Sequence, residues 1–435
     1  MAETVIFHID VNSAFLSWTA AYRTLVLGAQ TDLRQIPAVI ACDKNSRTSI
    51  VLAKSIPAKK YGIQTGEPLG MAQEKCPALV VAEPDYDLYV TASRRLMALL
   101  QSVSPDVEQY SIDEAWVDMT GTTSLYGPPV MAARMLKDRI RQELGFTVNI
   151  GVSCNKLLAK MAGDFEKPDK VHTLFPNEIP EKLWPLPVGD LFGVGRATVK
   201  KLSAVGITTV GQLAETDTAF LQKKFGKMGI TRWHFANGRG SEQVFSRPPA
   251  QKGYGNSVTT PRDVTDFSYA RQTLLSLCET VGMRLRRDEQ AGRCVTIHLR
   301  SSDFSGWSHR KLLPSATNVT GELYRAACEL LAEAWDGKTP LRHLGMAVTS
   351  LSSGACRQCS FFDRTDYARQ EKLDAAVDDL REKYGEQAIF RATFLSGDVK
   401  HMAGGLSKER RTGITKPVER PEQHTFQKLG LPAES

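Results

Sequence analysis

Long apolar runs are absent from this chain of 435 residues, and no stretch comes near the ~20 consecutive apolar residues that a helix needs to cross a bilayer. Cysteine is scarce too, with eight residues spread from Cys42 to Cys359. That excludes a disulfide-stapled secreted scaffold and fits a reducing compartment. Structural zinc is poorly provided for: Cys356 and Cys359 have CxxC spacing, but no second CxxC or His pair accompanies them. The first residues meet an acid at Glu3 and turn strand-like at once, without the basic segment of a secretory leader, so a cytoplasmic protein is expected. An acidic excess is also missing. Lys and Arg outnumber Asp and Glu by 55 to 48, a net charge of +7, which favours a polyanionic partner such as nucleic acid. What is present is ordinary for globular protein, 42% hydrophobic and 24% charged. The chain is too long for one core, so several domains are expected.

From residue 4 to about 168, short apolar strands alternate with amphipathic helices. Strands are expected over 36–42, 49–53 and 146–152, and helices over 87–100 and 129–144. Strands bracketing helices in this way suggest an α+β sheet with helices on one face. Two runs carry acids. Val5 to Asp10 is an apolar strand ending in a carboxylate, and Tyr110 to Asp118 reads as a strand that holds Asp113 and Glu114 side by side. Val, Ile and Trp favour a half-buried strand, where a charged pair is costly unless something binds it. On these residues alone, turn acids in a hairpin remain a sufficient explanation. Three carboxylates at strand ends are also what cages two Mg²⁺ ions for in-line attack at phosphorus.

Basic segments follow the acids. Lys54 to Gly62 and Cys154 to Lys160 put lysines near helix starts, where phosphate is attracted, although a solvated lysine face explains either segment alone. Past Lys167-Pro168-Asp169 lies a Gly193-Val194-Gly195 turn followed by Arg196, Lys200 and Lys201. A dinucleotide-binding reading fails, because no strand directly precedes the turn and no third glycine follows at the right spacing. A helix-hairpin-helix fits better: its glycines let backbone N–H groups approach a DNA phosphate while the basic side chains neutralise charge. A glycine-capped helical hairpin is the plainer alternative. Between residues 170 and 240 ten Lys/Arg face five Asp/Glu, so much of the excess charge sits here. Gly238 to Gly253 reads as a linker. Beyond it the order is strand (257–260), helix (267–287), strand (293–300), strand (309–313), helix (319–335), strand (341–351), a β-α-β-β-α-β unit with one sheet face free. Phe361 and Phe362 then stand in a polar segment, as a docking peptide or a buried strand. A charged helix is expected over 366–384, and 401–435 is Gly-, Pro- and Lys/Arg-rich without periodicity, an extended or disordered stretch.

Four motifs in order, HIDVNSAF, YSIDEAWVDMTG, GVSCNKLLAKMAGDFEKP and LFGVGRATVKKL, resemble those of the Y-family DNA polymerases, the lesion-bypass class, over about residues 4 to 352. The resemblance implies an α+β multidomain right hand. Its ferredoxin-like palm and small fingers would fill 1–168 (fingers near 20–80), a helix-hairpin-helix thumb 169–240, a little finger 241–353 and a tail 354–435. It implies template-directed addition of deoxynucleotides to a primer, with Asp10, Asp113, Glu114 and the Val11 carbonyl holding two Mg²⁺ ions, or Mn²⁺ in their place. Phe15 would be the sugar-excluding aromatic, and Lys160 would contact the incoming triphosphate. Gly193, Gly195, Arg196, Lys200 and Lys201 would bind DNA. QCSFFD resembles the bacterial sliding-clamp peptide, with Gln358, Phe361 and Phe362 as anchors. A monomer working on primer-template DNA and deoxynucleoside triphosphates, with no membrane partner, is the expectation.

The chain departs from the family pattern in places. The fingers often carry a Tyr and an Arg that touch the triphosphate, where this chain has Ile56 and Lys59; Lys59 supplies a point charge and not a bidentate fork. Asn12 replaces a common acid, and Cys359 stands where the clamp peptide often has Leu. Two rivals share these residues: a two-metal DNA repair nuclease, and a non-catalytic clamp-associated DNA-binding subunit.

Overall fold

The computed structural model describes residues 3–42, 49–246, 250–353, 367–395 and 399–402. They fall into two compact units, which divide near residue 248.

In the first unit the chain runs β1 (Ile6–Val11), α1 (Ala14–Leu25), β2 (Ala38–Ala41), β3 (Val51–Lys54), α2 (Ile56–Lys60), α3 (Leu69–Lys75), β4 (Val80–Ala82) and α4 (Tyr86–Gln101). It continues through β5 (Val107–Gln109), β6 (Glu114–Asp118), α5 (Thr123–Tyr126), α6 (Pro129–Leu144), β7 (Val148–Ser153), α7 (Lys156–Gly163) and β8 (Val171–Thr173). Four more helices follow: α8 (Arg196–Ser203), α9 (Val210–Glu215), α10 (Thr218–Phe225) and α11 (Lys227–Ala236).

Five strands form one sheet in the order β5-β6-β1-β7-β8. Every residue of β1 is buried, which explains why its run is largely apolar instead of alternating and why His8 and Asp10 stand out in it. Side chains still alternate between faces. Phe7, Ile9 and Val11 join Leu96 and Leu100 of α4 and Leu136 and Ile140 of α6 in the main core. Ile6 points the other way, to Trp116 and to Ala159 of α7. Helices therefore cover both faces, not one as the strand pattern suggested. Gly151 makes the second layer feasible: a Cβ there would lie 1.9 Å from the Ala159 carbonyl oxygen, so only glycine lets α7 lie this close to β7. Helix ends follow local chemistry. Asp85 caps α4 by accepting from the N–H of Asp87 and Leu88, Asn155 caps α7, and α6 starts at Pro129 and stops at Gly145 with φ 75°.

A smaller sheet, β3-β2-β4, packs Leu16 and Ala20 of α1 on one face and α2 and α3 on the other. Helices α8 to α11 close a separate core around Leu191, Leu202, Val210, Leu213 and Leu221, which also takes Leu157 and Leu158 of α7. The first half of the expected linker is bound, not free. The Lys156 N–H donates to Ser241 O at 2.9 Å, Asn155 Nδ2 to Gly238 O at 3.0 Å, and Val244 is buried beside Trp116.

The second unit holds β9 (Gly253–Val264), α12 (Phe267–Arg287), β10 (Gln290–Ser301), β11 (Gly306–Thr317), α13 (Thr320–Ala334), β12 (Leu341–Ser353) and α14 (Tyr367–Tyr384). Its sheet order is β11-β10-β12-β9. Val295, Ile297 and Leu299 pack under α12 and α13. Thr296, His298, Arg300 and Arg310 lie on the open face, as their register shows. β9 and β11 are much longer than their expected spans. Both are edge strands, so Pro261 and Pro314 are tolerated within them.

The folded part also runs on past α14. Arg286 of α12 pairs with Asp374 at 3.2 Å and Asp378 at 2.6 Å, while Glu279, only 3% exposed, pairs with Arg381 at 2.9 Å and Arg391 at 2.7 Å. Phe394 and Val399 pack on Leu275. Gln358, Phe361, Phe362, the CxxC and residues 403–435 lie outside the described residues.

Candidate active site

β1 and β6 run antiparallel with Asp10 directly opposite Glu114, and the Val11 N–H donates to Asp113 O at 3.1 Å. Register thus brings two of the expected acids together on the α7 side of the sheet. Each meets a lysine. Lys160, in the last turn of α7, donates to Glu114 Oε2 at 2.9 Å, and Lys167 donates to Asp10 Oδ2 while pairing with Asp164 at 2.8 Å. His8, two residues before Asp10, is fully buried beside Trp116, its ring centroid 5.5 Å away.

The electrostatics separate the two carboxyls. Burial raises the pKa of Asp10, the nearby charge of Glu114 adds to it, and Lys167 opposes both. Burial also acts to raise Glu114, but neighbouring donors win and hold it down at about 2. His8 Nε2 stands 3.8 Å from Glu114 Oε2, too far for a full hydrogen bond, so the Lys160 ammonium carries most of that lowering. Burial holds the His8 imidazole below its usual pKa, which leaves it neutral at physiological pH.

Asp113 is placed differently. Its carboxylate accepts from Ser111 Oγ at 2.6 Å, and among the described residues no three His, Cys, Asp or Glu side chains gather as a closed metal site. The donors nevertheless fit a hard divalent cation: carboxylate oxygens on adjacent strand ends, with ammonium groups standing where positive charge is stabilised.

Phe15 sits in the first turn of α1, after Ser13 in the left-handed region with φ 49°. Its ring is half-buried and stacks on Tyr89, centroids 4.3 Å apart and planes 5° from parallel. Asn12, in place of an acid, is structural: it donates to Asn149 Oδ1 at 3.1 Å and accepts from the Asp169 N–H at 2.9 Å. Lys59 is exposed in the last turn of α2, and the ion pairs of Asp10 and Glu114 go to Lys167 and Lys160 instead. On the helical part, Gly193 turns the chain with φ 81°, and Gly195, Arg196, Lys200 and Lys201 are all exposed. A Cβ at Gly195 would meet nothing, so that glycine is not required by packing.

Three residues at the site were not singled out by the sequence. Lys167 was legible only as a basic residue seven places past Lys160. His8 and Tyr89 looked like ordinary strand and helix residues.

Residues 9–164 match the impB/mucB/samB family, 176–207 the HHH motif of that family, and 251–361 its C-terminal domain. The chain is similar to DNA polymerase IV of Clostridium acetobutylicum, 44% identical over 91% of this chain and 99% of that protein. It is also similar to DNA polymerase IV 2 of Bacillus subtilis, 36% identical over 95% and 98%. Among solved structures, a Y-family DNA polymerase chimera aligns with a TM-score of 0.68 at 22% identity, covering 80% of this chain and 98% of that one.

Proposed function

We propose, for a chain that belongs to the impB/mucB/samB family of Y-family DNA polymerases, that Asp10, Asp113 and Glu114 form its nucleotidyl-transfer centre. The protein is a template-directed DNA polymerase of the translesion class. The observation that supports this centre is the meeting of Asp10 and Glu114 on paired strands under two lysines. Two Mg²⁺ ions, when bound, supply a lowered pKa at the attacking 3′-hydroxyl and neutralise triphosphate charge. Asp10, Asp113, Glu114 and the Val11 carbonyl are the groups that would hold them. Lys160 and Lys167, now spent on carboxylates, become available to phosphate oxygens once those carboxylates are otherwise neutralised. The exposed Arg196, Lys200 and Lys201, and the open sheet face with Arg300 and Arg310, offer cationic contacts to a nucleic-acid backbone. With Mg²⁺ and deoxynucleoside triphosphates, the purified chain should lengthen a labelled primer on its template. Shortening of the primer without nucleotides, and no lengthening with them, would instead favour the nuclease.

The clamp-binding role belongs to the same reading. Replacing Phe361 and Phe362 together with Ala should weaken sliding-clamp binding by about 2 kcal/mol or more per anchor, the usual size for hot-spot aromatics. Distributive synthesis on short primers should stay as it was. If both fall together, the two rings serve the fold and not the clamp.

A further inference from the structure

We propose that Tyr89 is a positioning residue for sugar selection, holding the Phe15 ring in its plane through a stack and a hydroxyl relay. The inference rests on the reading of Phe15 as the ring beneath the incoming sugar. A ring that excludes a 2′-hydroxyl by collision works only if it cannot tilt. Repulsion at close range is steep, so a small tilt opens the space it is meant to fill. A half-buried phenylalanine at the start of a helix has little of its own to prevent this.

The structure supplies the restraint from α4. Tyr89, with no exposed surface, lies flush against Phe15, centroids 4.3 Å apart and planes 5° from parallel. The other aromatic neighbours touch Phe15 differently: Tyr86 edge-on at 6.0 Å and 73°, Trp18 tilted at 6.1 Å and 43°. Among the described aromatic neighbours, Tyr89 alone lies on the face of the ring.

The hydroxyls then tie Tyr89 back to the helix that carries Phe15. Thr19 Oγ1 donates to the Phe15 carbonyl at 2.8 Å, and it lies 3.1 Å from the Tyr89 hydroxyl. Thr19 has one hydroxyl proton and has spent it on that carbonyl, so Tyr89 must be the donor in the second bond. The result is a closed circuit: ring on ring in one direction, and phenol to threonine to the Phe15 carbonyl in the other. Burial pushes the phenol up to about 12, which keeps the proton on the oxygen at any working pH.

The test measures the ratio of kcat/KM for dATP to that for ATP in four proteins: wild type, Phe15→Ala, Tyr89→Leu and the double variant, with circular dichroism melting of each. Tyr89→Leu should lower the ratio about tenfold, mainly through a lower KM for ATP, because it frees the ring without removing it. The double variant should match Phe15→Ala, since a residue acting through Phe15 has nothing to act on once that ring is gone. A Tyr89 that served only the fold would lower the melting temperature and the use of both nucleotides alike. Tyr89→Phe keeps the ring and loses the hydroxyl; it guards against a Leu variant that fails to fold, and it should lower the ratio about threefold. An unchanged ratio in folded Tyr89→Leu overturns the stack, and an unchanged ratio in Tyr89→Phe overturns the relay. An unchanged ratio in Phe15→Ala overturns the reading of Phe15 itself, a separate failure.

Discussion

Glu114→Gln should lower the rate of nucleotide addition by on the order of 10³-fold or more, with the fold retained. A metal-assisted phosphoryl transfer draws several kcal/mol of charge stabilisation from its cations, and each 1.36 kcal/mol is about tenfold in rate. The choice of Gln follows from the structure. Lys160 is 8% exposed and has its ammonium 2.9 Å from Glu114 Oε2. Glu114→Ala would strand that ammonium, and breaking a buried pair from one side costs about 3 to 5 kcal/mol. Lost activity would then be hard to tell from lost fold, whereas Gln keeps an oxygen for Lys160. Asp113→Asn is the cleaner companion, because among the described residues Asp113 pairs with no buried cation and is bonded to Ser111. Both should be assayed by primer extension at saturating Mg²⁺, alongside thermal melting. If either keeps more than about a tenth of wild-type activity while folded, it is not a ligand whose loss costs several kcal/mol.

The sequence made the site legible up to the point where interactions become long-range. That Asp10 and Glu114 could meet followed from one strand-like run ending in Asp10 and another holding Asp113 and Glu114; the second strand starts only at Glu114, and the register puts Glu114 opposite Asp10. α6 and α12 appear with the expected bounds, because a proline opens one, an acid caps the other, and apolar residues recur along one stripe of each. Lys167 was not legible as a partner of Asp10. The two are 157 residues apart, and nothing local to Glu166-Lys167-Pro168 tells such a lysine from a solvated one.

α14 spans Tyr367–Tyr384, close to the charged helix expected over 366–384, but the way it docks was not legible, for a different reason. The residues it buries are Asp374 and Arg381, while Leu373, Leu380 and Tyr384 are exposed. Its hydrophobic period therefore points away from the face that docks, and the docking is carried by ion pairs to Arg286 and Glu279. Apolar periodicity finds a buried face only when the face is apolar. The expected linker hid its anchoring in the same way, since it is held by backbone groups of Gly238 and Ser241, whose positions no side-chain pattern records.

Phe15→Ala should raise ribonucleotide use relative to deoxyribonucleotide use by on the order of 10²-fold or more, the signature of a steric barrier taken away and not of an attraction weakened. The two nucleotides differ at the 2′-hydroxyl alone, so a residue that raises one and spares the other must be acting at that group. The structure narrows the rival explanation. A fully buried phenylalanine cut to alanine costs about 3 to 5 kcal/mol, but this ring is only half-buried, packed on Tyr89 by one face, so a smaller loss of stability is expected. A core residue under no sugar would lower the use of both nucleotides together, in step with the melting temperature. The two readings therefore differ in direction, not merely in size. Measuring kcat/KM for dATP and ATP below the melting temperature of both proteins separates them. An unchanged ratio, whatever happens to stability, would leave Phe15 as packing for α1 and α4 and move the source of sugar selection elsewhere in the pocket.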